Sequence, residues 1–401
     1  PMWRENAEVD LEYHVRSCRV DEPGGRHQLD EAVGRIASTP LDRSRPLWEM
    51  YLIEGLAGGR IAVLGKIHHA LADGVASANL LARGMDPIEG PKADRDSYAT
   101  DPAPSKGELV RSAFTDHLRQ IGKFPSVVKY TAQGVRRVRE SPHKLSPELT
   151  RPFTPPSTFM NHQIDATRKF ATTTLALDDV KSTGKHLGVT INDMILAMSA
   201  GALRKLLLRY DGHADHPLLA SVPVSFDFSR DRISGNYFTG VLVRIPVELE
   251  DPLERVRAAH DAAAAGKESN NLLGPELVSR WSAYFPPAPA EAMFRWLSNK
   301  DGQNKVMNLP ISNVPGPRER ARVGGALVTE IYSVGPLTMG SGLNITVWSY
   351  VDQINISVLS DGKTVDDPHE LTAAMVDDFV EIRRAAGLPT ELTVVETAMA
   401  N

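Results

Sequence analysis

Two adjacent histidines, in the segment KIHHALADGVAS at residues 66–77, are well suited to proton transfer. His68 and His69 are followed by Asp73 and Gly74, which gives the spacing HHxxxDG. The unperturbed pKa of histidine, about 6.5, allows the ring to take up and release a proton at neutral pH. The alternative for each ring is a packing role, with one nitrogen held by a backbone carbonyl.

A metal site at this histidine pair is disfavoured by the spacing. Adjacent residues of a strand face opposite sides of the sheet, so His68 and His69 cannot easily share one ion. His69 and Asp73 could share one only if both lay on one helix, and no histidine-rich or acidic cluster supplies a third ligand. We therefore expect no metal here.

The sequence offers no protein nucleophile for His69 to activate. The run Gly340-Ser341-Gly342 does not have the G-x-S-x-G pattern of a nucleophile elbow. Cys18 stands alone on a strand-like stretch, and Ser77 lies too far along the following segment. A histidine without such a partner can deprotonate a bound hydroxyl group while that group attacks an activated acyl group. The nucleophile would then belong to the substrate.

The elements that must position the histidines follow from the pattern of apolar residues. Residues 60–69 alternate between two faces, which predicts a strand. Asp73 and Gly74 interrupt this alternation, and residues 75–85 have the pattern of a helix. The histidines are thus predicted where a strand passes into a helix, and functional groups are common at such junctions.

The remaining elements predict an α+β fold, a mixed-sheet two-layer sandwich, because strands and helices do not alternate regularly as in a Rossmann fold. Thr190 is the predicted N-cap of a helix, with Asp193 in the capping-box position. Asn313 to Gly316 has the composition of a turn. Further strands are predicted at residues 218–226, 240–247, 328–334, 343–348 and 354–360, and further helices at 252–265, 275–284, 290–298 and 369–386.

Length, charge and cysteine content limit the class of protein. A chain of 401 residues favours two domains, and a net charge of −5 provides no basic field for nucleic acid. The single cysteine fits a reducing compartment. No apolar stretch reaches the roughly 18–20 residues of a membrane-spanning helix. We therefore expect a cytoplasmic protein whose membrane contact, if any, is peripheral.

One segment could provide such contact. Residues 111–151 contain nine Lys or Arg and three Asp or Glu, interleaved with apolar side chains such as Phe114 and Ile121. A basic amphipathic helix suits an anionic membrane surface or a phosphorylated substrate, and a solvated helix packed on its own domain is the alternative. The proline-rich residues 141–156 are the predicted crossing between domains. We place the domains at residues 1–140 and 161–401, with the crossing at 141–160.

The motif HHALADG resembles the HHxxxDG motif of the CoA-dependent acyltransferase superfamily, which includes chloramphenicol acetyltransferase and the condensation domains of peptide synthetases. Further stretches are similar to one branch, the bacterial wax ester synthase/diacylglycerol acyltransferases of mycobacterial or actinobacterial type. They are PLDRSRPLWEMYLIEGL at 40–56, TINDMILAMSAGALRKLL at 190–207, SVPVSF at 221–226, GNYF at 235–238, SNVPGP at 312–317 and YSVGPLTMGSGLNITVWSY at 332–350.

The resemblance implies two chloramphenicol-acetyltransferase-like domains with the active-site tunnel between them. It makes His69 the general base, which deprotonates an acceptor hydroxyl as that hydroxyl attacks acyl-CoA. It makes Asp73 structural, through a pair with an arginine that fixes the loop, and His68 supporting. Gly74 would allow a tight backbone turn. It also implies a strand and a helix upstream of Pro1.

Further substrate contacts are predicted from the matching positions. Asn192 would be a polar contact near the channel, whereas Asp193 would cap its helix. Asn313 and Gly316 lie in the segment that the resemblance places beside the tunnel. Two more residues, Asn344 and Thr346, share one face of a strand. That face could line the site or be a solvated surface.

The implied activity is O-acylation of diacylglycerol or of a long-chain alcohol by a long-chain acyl-CoA. Acyl-CoA would be a co-substrate, and no cofactor or metal is implied. The implied surroundings are a membrane or lipid-droplet surface. Two alternatives stay open: condensation of an acyl group bound to a carrier protein, and a non-catalytic lipid-droplet protein with the same fold.

Overall fold

A computed structural model describes residues 9–85, 104–141, 155–229, 231–282, 284, 292 and 303–399. The helices are α1 (Leu11–His14), α2 (Arg26–Ala37), α3 (Gly74–Gly84), α4 (Lys106–Glu140), α5 (Leu177–Leu187), α6 (Ile191–Tyr210), α7 (Pro252–Leu273), α8 (Leu277–Ser282) and α9 (His369–Ala385). The strands are β1 (Val15–Arg19), β2 (Trp48–Glu54), β3 (Ala62–Ile67), β4 (Arg168–Ala176), β5 (Leu218–Ser225), β6 (Phe238–Ile245), β7 (Leu309–Pro315), β8 (Arg322–Val323), β9 (Ala326–Leu327), β10 (Leu343–Tyr350) and β11 (Gln353–Asp361).

Two mixed sheets organise the chain. The smaller sheet has the order β1-β2-β3, in which β1 and β2 are parallel and β3 is antiparallel to β2. The larger sheet has the order β4-β11-β10-β7-β5-β6, in which β7 runs parallel to both β10 and β5. The prediction of an α+β fold with mixed sheets is therefore confirmed.

One face of the larger sheet carries the main apolar core. Helices α5, α6, α7 and α9 supply its side chains, and these pack on apolar residues such as Ile345 and Ile356 of the central strands. Helix α6 is buried on nearly every side because its sequence is apolar all round, from Met194 to Leu203. Burial of this kind is the dominant favourable term in folding.

The opposite face of the larger sheet holds an extended segment, residues 328–337, which we call the strap. Side chains of the sheet donate hydrogen bonds to strap carbonyls at every second residue. Gln353 reaches Thr329 O at 3.0 Å, and Asn355 reaches Ile331 O at 2.9 Å. Ser357 reaches Ser333 O at 2.6 Å. The strand predicted at 328–334 is therefore wrong: side chains rather than a backbone ladder satisfy these carbonyls.

A buried ion cluster fastens α2 to the strap. The guanidinium Nη2 of Arg26 lies 2.9 Å from Glu330 Oε2, and its Nη1 donates to the Tyr332 hydroxyl at 2.6 Å. Burial raises the pKa of the Tyr332 phenol. Because α2 also packs on β4, α2 and the smaller sheet share an apolar cluster with Phe170 and Leu359 of the larger sheet.

The turn predicted at Asn313 to Gly316 is wrong. Strand β7 continues through Pro315 because it pairs in parallel with β10, with Asn313 opposite Val347. Gly316 follows the strand, and a Cβ atom there would lie 2.2 Å from the Ser349 carbonyl oxygen. A close approach of two backbones, rather than a turn, thus requires this glycine.

Several other predictions can be compared with the elements. The predicted helices at 252–265 and 369–386 are confirmed, and that at 275–284 is shorter, as α8. The helix predicted at 290–298 and most of the crossing lie outside the described residues. The domain boundaries stay a prediction. Across the described parts of the chain, no helix combines the length and apolar character needed to cross a membrane.

Candidate active site

The two histidines occupy a tight turn between β3 and α3, and their rings have different surroundings. The His68 backbone N–H donates to Leu47 O at 3.0 Å, which continues the edge of the sheet for one residue. The Ala70 backbone N–H donates to His68 Nδ1 at 3.1 Å, so the local backbone uses this ring nitrogen. The His69 side chain is exposed. Of the two histidines, His69 is the more exposed, since His68 is half-buried.

A segment from the second half of the chain, residues 235–238, lies against the histidine turn. Gly235 N–H donates to Leu71 O at 2.7 Å, and Asp73 N–H donates to Gly235 O at 3.1 Å. Asn236 Nδ2 donates to the His69 backbone carbonyl at 2.9 Å. The ring of Phe238 lies 6.0 Å from that of His69, centroid to centroid. The backbone of the turn is therefore held from across the molecule.

The buried carboxylate of Asp73 connects helix α3 with Arg232 and with the backbone of Tyr237. It caps α3 by accepting from the Ala76 N–H at 2.9 Å, and it accepts from the Tyr237 N–H at 2.8 Å. Nη1 of Arg232 lies 3.0 Å from both carboxylate oxygens. Both side chains of this ion pair are less than 10% exposed, at 4% and 8%. Arg232 is thus the arginine that the motif resemblance implied but did not identify.

The structure gives a different reason for a glycine at position 74 from the expected tight turn. It is the first residue of α3 and is not among the glycines with positive φ, so a strained turn does not require it. A Cβ atom at this position would lie 3.1 Å from Val314 Cγ2 on β7. The glycine therefore allows α3 to begin against the end of β7.

Asn192 and Asp193 open helix α6. The Thr190 N–H donates to Asp193 Oδ2 at 2.9 Å, and the Asp193 N–H donates to Thr190 Oγ1 at 3.2 Å, which confirms the predicted capping box. Asp193 also holds His260 Nδ1 at 2.8 Å, and this hydrogen bond raises the pKa of His260. Asn192 is half-buried in the first turn, and its contact with substrate stays a prediction.

Asn344 and Thr346 do not form a solvated face. Both are buried, Asn344 donates to Pro336 O of the strap at 2.9 Å, and Thr346 donates to Asn344 Oδ1 at 2.8 Å. The absence of a side chain at Gly335 makes this possible, because a Cβ there would lie 2.3 Å from Asn344 Oδ1. Their observed contacts fix the strap.

Only some of the predicted site residues therefore lie together in the structure. The hydrogen bonds and ring contacts described for His69 and Asp73 involve residues 232–238 rather than Asn192, Asn313, Gly316, Asn344 or Thr346. Chemically, the arrangement offers an exposed imidazole on a turn whose backbone and following helix are fixed from two sides. Such a group can take a proton from a bound hydroxyl group.

Family models and a sequence relative now identify the chain. The model described as the wax ester synthase/diacylglycerol acyltransferase catalytic domain matches residues 1–195, and the model of the C-terminal domain matches residues 234–383. A protein of Mycobacterium tuberculosis strain H37Rv that carries the provisional name diacylglycerol O-acyltransferase is 70% identical over 400 residues, or 100% of this chain and 85% of the relative. This chain belongs to the wax ester synthase/diacylglycerol acyltransferase family. It is an acyltransferase.

Solved structures agree with this family and with the fold. The wax ester synthase/diacylglycerol acyltransferase of Marinobacter aquaeolei VT8 matches with a TM-score of 0.66 and 25% identity, covering 97% of this chain and 84% of that one. The first condensation domain of the calcium-dependent antibiotic synthetase matches with a TM-score of 0.51 and 15% identity, covering 94% and 76%. The second likeness concerns the fold alone. The two-domain arrangement implied by the motif resemblance is confirmed.

For this family member, sequence reasoning missed Arg232, Asn236 and Phe238. A signal was present, since the stretch GNYF at 235–238 matched a family motif, yet no role was assigned to it. Gly235 has a φ of +83°, a conformation that favours glycine, and this lets the segment bend against the histidine turn. Arg232 lies three residues earlier and has no local pattern that separates it from other arginines.

Proposed function

We propose that the protein transfers a long-chain fatty acyl group from acyl-CoA to a lipid hydroxyl, with His69 as the general base. The observation that carries this proposal is the contrast between the exposed His69 ring and its fixed backbone. A general base needs an accessible ring held in one place. His68 lacks that access at Nδ1, which favours a supporting role for it.

The proposed reaction balances without a cofactor or a metal. The neutral imidazole of His69 takes the proton of the acceptor hydroxyl while the hydroxyl oxygen attacks the thioester carbon. The tetrahedral intermediate collapses, the carbon–sulfur bond breaks and the ester forms. The imidazolium then returns its proton to the departing CoA thiolate, so His69 is regenerated. An apolar tunnel between the two halves would hold the acyl chain, since sites for apolar ligands are lined mainly by apolar side chains.

Diacylglycerol is the acceptor that we propose first, with a long-chain alcohol second. The name of the M. tuberculosis relative supports diacylglycerol, and the Marinobacter protein is named for both activities. The test is acyl transfer from palmitoyl-CoA to dioleoylglycerol and to hexadecanol, offered separately, with ester quantified by mass spectrometry. We expect faster formation of triacylglycerol. Faster formation of wax ester would reverse the order of acceptors.

The same assay tests the two alternative functions. A carrier-dependent condensation enzyme would make ester from an acyl group loaded on a carrier protein and none from free palmitoyl-CoA. A non-catalytic lipid-droplet protein would make no ester from either donor. Formation of ester from free palmitoyl-CoA contradicts both alternatives.

We also propose that α4 binds the surface of an anionic membrane or lipid droplet. Helix α4 has eight Lys or Arg and three Asp or Glu. Its apolar side chains Val110, Phe114, Leu118 and Ile121 are each more than 50% exposed and recur at helical spacing. Basic residues are attracted to anionic headgroups, and an apolar stripe beside them can insert at the boundary between headgroups and acyl chains.

Binding to vesicles tests this surface. Phe114→Ser and Ile121→Ser should each weaken binding to phosphatidylglycerol-containing vesicles by about tenfold, the value of one buried apolar side chain. Val394→Ser provides a matched control, because Val394 is 81% exposed and lies outside α4. Equal binding by all three variants would contradict a lipid contact at α4. The predicted cytoplasmic location stays a prediction.

A further inference from the structure

A glycine lies inside strand β6, close to the His69 site. Gly240 is exposed and comes two residues after Phe238, whose ring is 6.0 Å from that of His69, centroid to centroid. Successive side chains of a strand point to opposite faces, so positions 238 and 240 share one face. The rise of an extended strand places Gly240 about 7 Å further along β6 than Phe238. The missing side chain is therefore on the side of the sheet where the His69 ring lies.

The surface of β5 and β6 around Gly240 consists of small side chains. Pro223 pairs with Gly240 across the two strands, and Ser225 pairs with Phe238. Ser221 lies diagonally across from Gly240 on the same face. The three β5 residues are half-buried, whereas the opposite face of β6 is buried in the main core. We call the surface formed by Ser221, Pro223, Ser225 and Gly240 the shelf.

The fold itself does not require a glycine at position 240. Gly240 is not among the glycines with positive φ, and a glycine inside a strand is less stable than a residue with a side chain. A Cβ atom there would lie 2.7 Å from the Ser221 hydroxyl oxygen. Within the described residues no hydrogen bond holds that hydroxyl, so rotation about χ1 of Ser221 removes the contact. The glycine thus keeps a space open beside the site at a cost in stability.

The chemistry at His69 brings the acceptor to this place. A general base has to lie within hydrogen-bond distance of the hydroxyl that it deprotonates. The carbon atoms that carry this hydroxyl therefore lie next to the imidazole, where Phe238 and then Gly240 follow. A long-chain alcohol is linear at these carbons, whereas in 1,2-diacylglycerol the carbon next to the hydroxyl-bearing carbon is branched. Diacylglycerol therefore needs more width beside His69 than a linear alcohol does.

We propose that Gly240 provides the space for a branched acceptor, diacylglycerol, and is a specificity-determining residue of the reaction. The inference rests on the proposed function, because it places the acceptor of the reaction at His69 on the shelf. Phe238 would contact the first carbons of the acceptor, and the branch would lie over Gly240. A glycine inside a strand often marks a place where a ligand approaches closely. Gly240 itself would not contact the reacting atoms.

Acyl transfer to two acceptors tests the inference. Palmitoyl-CoA is offered to the full-length wild type and to Gly240→Val with dioleoylglycerol or with hexadecanol, and kcat/KM is measured for each acceptor. Gly240→Val should lower kcat/KM for dioleoylglycerol about tenfold or more, the discrimination that a difference of one methylene group produces in a pocket. The value for hexadecanol should fall much less. Gly240→Ala, which adds a smaller side chain, should give an intermediate ratio.

A matched control comes from a glycine on another strand. Gly65 is exposed on β3 without a positive φ, and a Cβ atom there would meet no described atom within 4 Å. Gly65→Val should leave the ratio of the two kcat/KM values unchanged. The double variant Ser221→Ala/Gly240→Val removes the close contact with Ser221 and should show the same loss with dioleoylglycerol. Its Tm should be at least that of Ser221→Ala, because valine favours strands.

The possible outcomes separate this inference from the proposed function. An unchanged ratio in Gly240→Val and in the double variant, with normal turnover, would overturn the inference and leave the proposed function intact. An equal loss with both acceptors would also overturn it, because a general disturbance of the site has that effect. Wild-type ester from hexadecanol alone would do the same. If the wild type forms no ester from palmitoyl-CoA with either acceptor, the proposed function fails and the inference fails with it.

Discussion

His69→Ala should lower the rate of acyl transfer from palmitoyl-CoA by about 10²–10⁴-fold, the usual contribution of a general base. The ring is exposed and the backbone carbonyl of His69 is held by Asn236, so the substitution removes the base without removing that hydrogen bond. The Tm should therefore stay close to that of the wild type. Single-turnover rates with saturating acceptor measure the effect on the chemical step.

His68→Ala is the matched control for this prediction. It removes the hydrogen bond from the Ala70 N–H to the His68 ring, which costs about 1 kcal/mol of folding free energy. Acyl transfer should fall less than tenfold, because the His69 ring is retained. A larger loss in His68→Ala than in His69→Ala would exchange the two roles. Equal activity of His69→Ala and the wild type would exclude His69 as the base.

Asp73→Ala should produce the largest change in stability. Removal of one partner of a buried ion pair leaves the other charge uncompensated, which typically costs about 3–5 kcal/mol. Arg232, whose side chain is only 8% exposed, would keep one weaker ion pair, with the half-buried Asp227 carboxylate 3.6 Å from its Nε, so the loss should lie near the lower end of that range. The substitution also removes the cap of α3, a further cost of about 1 kcal/mol. Urea unfolding of the full-length chain measures the sum as a lower free energy of unfolding.

Two further variants separate the contributions of Asp73. Asp73→Asn keeps a good N-cap residue but loses the charge, so it should be less destabilised than Asp73→Ala. The double variant Asp73→Ala/Arg232→Ala should lose less free energy than the two single variants together, because the buried arginine that loses its main partner is removed with it. Strict additivity in this cycle would show that the two side chains do not interact. As a positioning residue, Asp73 should change kcat, through the placement of His69, more than KM.

The local features of the site could be predicted from sequence, whereas its long-range contacts could not. The break between β3 and α3 and the capping box at Thr190 depend on neighbouring residues, and both are confirmed. The partner of Asp73 is 159 positions away along the chain. Nothing in the residues around Arg232 specifies that contact, because it arises only when the two halves are folded together.

The errors in the fold prediction have a common physical cause. The composition around Asn313 favours a turn, but pairing of β7 with β10 imposes an extended backbone. The sequence at 328–334 predicts a strand, but the strap is held by side chains of β11 instead of a backbone ladder. In both cases the tertiary environment overrides a local preference.

The hydrogen bonds of the strap affect how cooperatively the fold opens. Asn355 and Ser357 point their polar groups away from the main core and find their partners in the strap carbonyls. If the strap detached alone, these groups would lose their strap partners and keep only water and partners within the sheet, Gln353 Oε1 for Asn355 and Thr346 O for Ser357, at a net cost of about 0.5–1.5 kcal/mol each. Detachment would also separate Glu330 from Arg26 of α2. The strap should therefore separate from the larger sheet only when the ion cluster that joins it to α2 also breaks, so that α2, the strap and the sheet open as one cooperative unit.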